Sequence, residues 1–322
     1  MTHLRERPVE GARGGRPAAR RDRGRLLDRL DTVASPYLFI APFFVIFGIF
    51  GLFPMGYTAW VSLRAWDISG DQGFVGFDNF VTLFGDPNFW NAIVNTLGML
   101  ILGTVPQLVI ALFLANLLNQ RMRGLGFYRL GVLAPIVTSV AAVGIVFSQI
   151  FDRDAGVVNG LLHLVGAQPI DWHADKWSSW IAISTMVSWR WIGYNALIYL
   201  AAMQTVPREL YEAAEIDGAS KARQFWAVTV PMIRPAVLFT VIVSTIGGTQ
   251  LFTEPLIFGQ GGFAISGGSL RQFQTVSMYM FEKAFRDFDY GYGSAIAWMI
   301  FVLIILLTLI NFLLTRNRGD RA

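Results

Sequence analysis

Two groups of residues in this sequence could do chemistry, and they lie in opposite settings. The first is Arg190, within SWRWIGYN, and Glu254, within GGTQLFTEPLIF. Each is an ionisable residue inside a long apolar run. A charge at that depth costs at least ~2.5 kcal/mol unless it faces a cavity or a partner. The two therefore pair, with each other or with a neighbouring subunit, or they serve a pathway. Around them stand Trp189, Trp191, Tyr194, Asn195, Gln250 and Phe252, a mixture of flat rings and amide groups. Polyhydroxylated rings suit that mixture, because their apolar faces stack on aromatics and their hydroxyls need donors and acceptors. The bland alternative is that half of these aromatics face lipid. Gly247 and Gly248 would let a helix bend or a neighbour approach closely.

The second group is polar and interrupts two apolar runs: ELYEAAEIDGASKARQFWAVTVPMIRP, Glu209 to Pro235. Glu209, Glu212, Glu215 and Asp217 come first, then Lys221 and Arg223, with Gly218 between. The segment reads as two short helices. Pro207 suits a first helical position. Glu209 then falls in the first turn, where the helix dipole favours anions. Arg208 and Glu212 are i,i+4 neighbours. Ala213 and Ala214 leave a flat surface for another backbone. Gly218 allows the turn, and Ser220 can cap a second helix carrying Phe225, Trp226 and Val228. Pro231 and Pro235 end it and launch the next run. By composition alone, such a pair either rests on a membrane surface or is presented to another protein.

Other chemistry is missing. There is no cysteine, so disulfides, thiol nucleophiles and thiolate-bound metals are excluded. No G-x-x-x-x-G-K-[ST] phosphate cradle occurs. His3, His163 and His173 are scattered without metal-ligand spacing. The reading is not an enzyme, with no cofactor or metal held by this chain.

The elements that position these groups are membrane runs. Of 322 residues, 54% are hydrophobic and 15% charged, against roughly 25% charged in soluble proteins. A bilayer core takes about 20 apolar residues per helix. Six runs qualify: 37–63, 92–118, 130–151, 180–203, 235–258 and 295–314. The expectation is an all-α polytopic membrane protein with six transmembrane helices. Pro54, Pro106 and Pro135 lie inside runs, where kinks are tolerated. Asn95 and Gln107 in the second run are candidates for interhelical hydrogen bonds.

Arginine and lysine concentrate in the N-terminal segment, the loop after run two, the loop after run four and the C-terminal tail. The positive-inside rule then puts both termini and the Glu209–Pro235 segment on the cytoplasmic side of the membrane. The expected organisation is a basic cytoplasmic arm at 1–34, a transmembrane domain at 35–315 and a cytoplasmic tail at 316–322. The arm lacks aromatics and reads as an anchor at an anionic lipid surface, not a nucleic-acid binder. The outward loops are aromatic, with Trp66, Phe74, Phe77, Phe80, Phe84, Phe89, Trp90, Trp172 and Trp177. They anchor at the interface or dock an external partner. An interfacial helix is expected around Val276 to Phe288.

Glu212-Ala213-Ala214, then Asp217-Gly218-Ala219, then Pro231, resembles the EAA loop of binding-protein-dependent ABC importer permeases. The phrase from SWRWIGYNALIYLAAMQTVP to PMIRP is similar to the carbohydrate-uptake branch. SPYLFIAPFFVIFGIFGLFPMGYTAWVSL and FRDFDYGYGSAIAWMIFVLI extend the match, so that it covers about Ser35 to Leu314. TQLFTEPLIF with GGSLRQFQTVSMYMFEKAF resembles cellobiose and related oligosaccharide permeases of actinobacteria. The resemblance implies a type I importer permease fold and a coupling loop at 207–235. Glu212, Ala213, Ala214, Asp217 and Gly218 would dock on a cytoplasmic ATPase dimer, which binds ATP and Mg. A second permease subunit would complete the pore as a heterodimer, and an extracellular solute-binding protein would deliver the sugar. Candidate sugar contacts are Trp191, Gly193, Tyr194, Asn195, Ser244, Gly248, Gln250, Leu251 and Glu254. Gly247-Gly248 departs from relatives that carry polar or aromatic side chains there. The rivals are an ion-coupled secondary transporter with Arg190 and Glu254 as its relay, although no internal repeat is evident, and a membrane scaffold that transports nothing.

Overall fold

A computed structural model describes residues 35–120, 123–259 and 261–316. The expected basic arm, 1–34, lies outside them, as does the tail from 317. The chain forms two units, Met1–Tyr57 and Thr58–Ala322. Helix α1 (Ser35–Ser62), whose residues up to Tyr57 belong to the first, holds a π-turn at Gly48–Leu52. Pro54 follows at once. A proline inside a helix lacks the N–H and crowds the carbonyl four residues back, and a π-turn is one way to absorb that mismatch.

Among the described residues, the strands of the second unit form one hairpin and its other regular elements are helices. Strands β1 (Arg64–Asp67) and β2 (Gly70–Phe74) pair antiparallel, with a bulge between Ala65 and Trp66. Then come α2 (Asp78–Gly85), α3 (Pro87–Leu118), α4 (Leu125–Val137), α5 (Val140–Ile150), α6 (Val157–Leu164) and α7 (Lys176–Gln204). After these lie α8 (Arg208–Ile216), α9 (Lys221–Met232), α10 (Arg234–Thr249), α11 (Thr253–Gly259), α12 (Val276–Phe281) and α13 (Tyr290–Arg316).

The pairing of α3 with α7 is the spine of this unit. Small and hydroxylated residues let the helices meet, as membrane helices require where lipid competes for apolar contact. Ser184 Oγ donates to the Met99 carbonyl at 3.2 Å and Ser188 Oγ to that of Gly103 at 2.9 Å. At one end Met99, Val143, Phe147, Trp180, Met186 and Phe258 form a buried cluster. At the other, Ala111, Tyr199, Leu200, Met203, Phe225 and Ile233 form a second, where the Tyr199 and Thr240 hydroxyls bond at 2.6 Å.

A polar lattice ties down the segment between α11 and α13. Buried Glu282 accepts from Arg271 Nη1 and from Gln274 Nε2, each at 2.6 Å. Burial pushes the Glu282 carboxyl up, but hydrogen bonds from Arg271 and Gln274 and the Arg271 charge outweigh it, so its pKa lies below the ordinary value. Asn95 Nδ2 donates to the carbonyls of Arg271 and Gln274 at 2.9 and 3.0 Å. Asn95 therefore bonds to this segment, where an interhelical bond had been expected. Asp86 caps α3 by accepting from Asn88 N–H at 2.8 Å and also accepts from the hydroxyls of Tyr279 and Tyr292.

Among the described residues three helices are long and apolar enough to cross a membrane: Ser35–Ser62, Pro87–Leu118 and Tyr290–Leu313. Two bent pairs raise the number to five if each is one span. The run 130–151 is one of these. It is not a straight helix but α4 and α5 at 93°, because Thr138 and Ser139 take extended ψ angles three residues after Pro135. The run 180–203 lies inside α7, whose 29 residues reach about 43 Å. Its buried Ser178, Ser179, Ser184, Arg190 and Asn195 make it less apolar than the others. Run 235–258 is interrupted: α10 stops at Thr249 and α11 restarts at Thr253. Trp172 and Phe89, expected to anchor at the interface or to dock an external partner, are buried, Trp172 against Phe151 with its indole N–H on Asn159 Oδ1 at 3.2 Å.

Candidate functional site

The interruption between α10 and α11 opens a cavity of about 160 Å³. Helix α7 supplies one wall with Val187, Trp191 and Asn195, a stripe at i, i+4, i+8 that the helical period places on one face. Helix α10 supplies Val243, Ser244, Gly247 and Gly248. Gln250, Leu251 and Phe252 come from the non-helical link, Thr253 and Glu254 from the start of α11. Helix α3 adds Thr104 and Gln107.

Seven of the nine residues singled out from the sequence line this cavity: Trp191, Asn195, Ser244, Gly248, Gln250, Leu251 and Glu254. Gly193 and Tyr194 are not among its lining. Gly193 sits two residues beyond Trp191, some 200° round the helix, and faces α4. A Cβ there would lie 1.8 Å from the Val132 carbonyl oxygen, so this glycine serves helix contact. The Tyr194 ring meets Trp191 edge-on at 5.7 Å. Sequence reasoning passed over Val187 and Thr104, although the i, i+4, i+8 spacing of Val187 with Trp191 and Asn195 was available. Gln107 was noted only as an interhelical bonder. Its amide lies 3.5 Å from Ser244 Oγ, a long bond that leaves both groups room for another partner.

Arg190 and Glu254 are a pair. Nη1 of Arg190 donates to Oε1 of Glu254 at 2.8 Å, and the two side chains are 9% and 10% exposed. Glu254 lines the cavity. Among the described residues, the buried Nδ2 of Asn195 and Nε of Arg190 have no hydrogen-bond partner. Such groups are rare in a folded interior and point to a missing partner.

The polar interruption folds as two short helices. Pro207 takes the N-cap of α8, one position earlier than expected. Arg208 Nε and Glu212 Oε1 pair at 2.9 Å. At the far end, Ala219 N–H donates to the Ala214 carbonyl at 2.8 Å and Gly218 N–H to that of Glu215 at 3.0 Å. With Gly218 at φ +74°, this is a Schellman turn, which favours glycine because a Cβ strains the left-handed region. Ser220 then caps α9 by accepting from Arg223 N–H at 3.3 Å. Tyr211 and Thr229 hydroxyls bond at 2.9 Å, and Lys221 pairs with Glu215 across the turn. The Lys221 hydrogen bond and charge hold the Glu215 carboxyl below its ordinary pKa. Pro231 does not end α9: a π-turn at Phe225–Thr229 precedes it inside the helix. The break comes at Ile233, with a 68° bend into α10.

Glu212, Ala213, Asp217 and Gly218 are exposed on this element and Ala214 is half-buried. Beside them Ile216 is 88% exposed, an apolar side chain standing out where two carboxylates flank it. It was not singled out from the sequence.

Residues 83–319 match the family described as binding-protein-dependent transport system inner membrane component. The lactose transport system permease protein LacF of Rhizobium radiobacter is 35% identical over 292 residues, covering 88% of this chain and 94% of that protein. The arabinooligosaccharides transport system permease protein AraP of Halalkalibacterium halodurans is 32% identical over 290 residues, covering 89% and 90%. The fold is shared with a chain from the crystal structure of a bacterial ABC transporter that imports the acidic polysaccharide alginate. The TM-score is 0.77, at 22% identity over 91% of this chain and 99% of that one. This chain is a member of the binding-protein-dependent transport system inner membrane components, the membrane-embedded permeases of ABC importers.

Proposed function

We propose that this chain is one of two permease subunits in an ATP-driven importer of di- or oligosaccharides, cellobiose-like in size, in a bacterial plasma membrane. The observation that carries this reading is the cavity at the α10–α11 break. Trp191 stands there beside Asn195, Ser244, Gln250 and Glu254, which suits a ring with an apolar face and hydroxyl edges. The relatives named for lactose and arabinooligosaccharides transport point the same way.

Six spans, counting the less apolar α7, with both termini in the cytoplasm fit the arginine and lysine distribution. That orientation puts α8 in the cytoplasm. Glu212, Ala213, Ala214, Asp217 and Gly218 then dock in a cleft of a separate ATPase subunit. The ATPase dimer binds ATP and Mg and closes, moving the docked helices and turning the cavity from one side of the membrane to the other. A solute-binding protein delivers sugar from outside. The pairing of Arg190 with Glu254 counts against the ion-coupled alternative, because both groups of the supposed relay are engaged with each other.

The test is reconstitution of this chain with its partner permease, ATPase and binding protein in proteoliposomes. Uptake of labelled disaccharides should require ATP and the binding protein. Uptake driven by a proton or sodium gradient without ATP would replace this reading with the ion-coupled one.

A further inference from the structure

The cavity has an unusual charge inventory. Glu254 is the one ionisable residue among those lining it, and its carboxylate is held by Arg190 at 2.8 Å. Among the described residues lining the cavity there is no cation. What they offer is neutral: the Gln107 and Gln250 amides, the Ser244 hydroxyl, the Trp191 ring, and the Asn195 amide, which is 2% exposed with its Nδ2 unpartnered.

An anion entering such a space loses its hydration and needs a cation in return. Here it would find the Glu254 carboxylate instead, a like charge in a poorly screened setting. Arg190 is not among the lining residues and gives its Nη1 to Glu254, so drawing its charge to an anion weakens that buried pair. A hydroxyl has no such conflict. It donates to the Glu254 oxygens and accepts from the amides, and an aromatic face serves its ring.

We infer that this cavity admits uncharged, hydroxyl-rich glycans and rejects those carrying a carboxylate, sulfonate or phosphate. Glu254 sets the charge selection, and Arg190 is a positioning residue that holds the Glu254 side chain at the wall. This rests on the sugar-importer reading and narrows it to a substrate class.

The test uses the assembled importer in lipid nanodiscs without its solute-binding protein, so that the selectivity of that protein does not enter. Saturation-transfer NMR is recorded with cellobiose and with its uronate analogue, whose non-reducing glucose carries a C6 carboxylate. The neutral disaccharide should bind more tightly by at least about tenfold, since juxtaposed like charges cost one tenfold step or more. Glu254→Gln, which leaves the Arg190 cation unpaired, should raise uronate binding about tenfold or more. If that variant fails to assemble, the double variant Arg190→Gln with Glu254→Gln has no buried charge left unpaired and should narrow the ratio. Equal binding of both sugars to the unmodified importer, or discrimination unchanged in the variants, overturns the inference while leaving the sugar reading in place. No signal from either sugar overturns the sugar reading, and this inference with it.

Discussion

Arg190 on α7 and Glu254 at the first turn of α11 meet at 2.8 Å across 64 residues of sequence, both nine-tenths buried. The pair crosses the point where α10 breaks off, so it fixes the restart of the helix against α7. A charge left alone at such depth is expensive, and breaking a buried pair by removing one partner costs about 3–5 kcal/mol. Arg190→Met and Glu254→Leu should each lower thermal stability in detergent strongly. The double variant should lose much less than the sum of the two. Additive losses in that cycle would show that the groups act independently.

The turn of the Glu209–Pro235 element makes a different demand, because Glu212, Ala213, Asp217 and Gly218 are exposed there. Glu212→Ala should insert normally and leave uptake at background in the reconstituted importer. Gly218→Val should do the same by straining the Schellman turn, at about 1–2 kcal/mol for a left-handed residue with a Cβ. Uptake at the unmodified rate with either change, at equal amounts in the membrane, would remove the docking role.

Gly193 is expected to act through packing. A Cβ at that position collides with the Val132 backbone carbonyl, which cannot swing aside as a side chain can. Gly193→Val should push α4 away from α7 and cost about 1–3 kcal/mol, read as a lower melting temperature. If it instead alters sugar binding with stability intact, Gly193 belongs with the cavity after all.

Glu282 gives the protein an acid-sensitive spot outside the spans. Its folded-state pKa is depressed below the ordinary 4.5 by Arg271 and Gln274 despite burial. A depressed pKa contributes stability above the unfolded value, and that contribution fades as pH falls through the folded value. Below pH 4.5 the melting temperature of the unmodified protein should therefore drop more steeply than that of Glu282→Gln. Parallel acid profiles would mean that the carboxylate contributes nothing ionic.

Much of the paired-helix element could be read directly from the sequence, because its signals are local. Proline before α8, glycine at the turn and serine at the cap act within four residues of themselves. Arg208 and Glu212 find each other by helical period. The same locality explains what went astray there. Whether Pro231 ends a helix depends on how the turn before it absorbs the missing N–H, and the sequence does not display the π-turn at Phe225–Thr229. In the cavity, residue types were readable and directions were not. Trp191 and Gly193 are two positions apart on one helix, and only the neighbours of α7 decide that one faces a space and the other a backbone.

By itself the sequence determined a polytopic helical chain, a polar paired-helix element between apolar runs, and the presence of two intramembrane charges that had to be accounted for. Composition, hydrophobic run length and short-range caps carry that information, because each depends on neighbours in the chain. Only the tertiary structure decided that Arg190 pairs with Glu254, that run 130–151 folds at 93°, and that Asn95 holds a distant loop. The Arg190 and Asn95 outcomes rest on contacts between residues 64 and 176–179 positions apart. Such contacts arise from packing geometry, which no local pattern of residue types encodes.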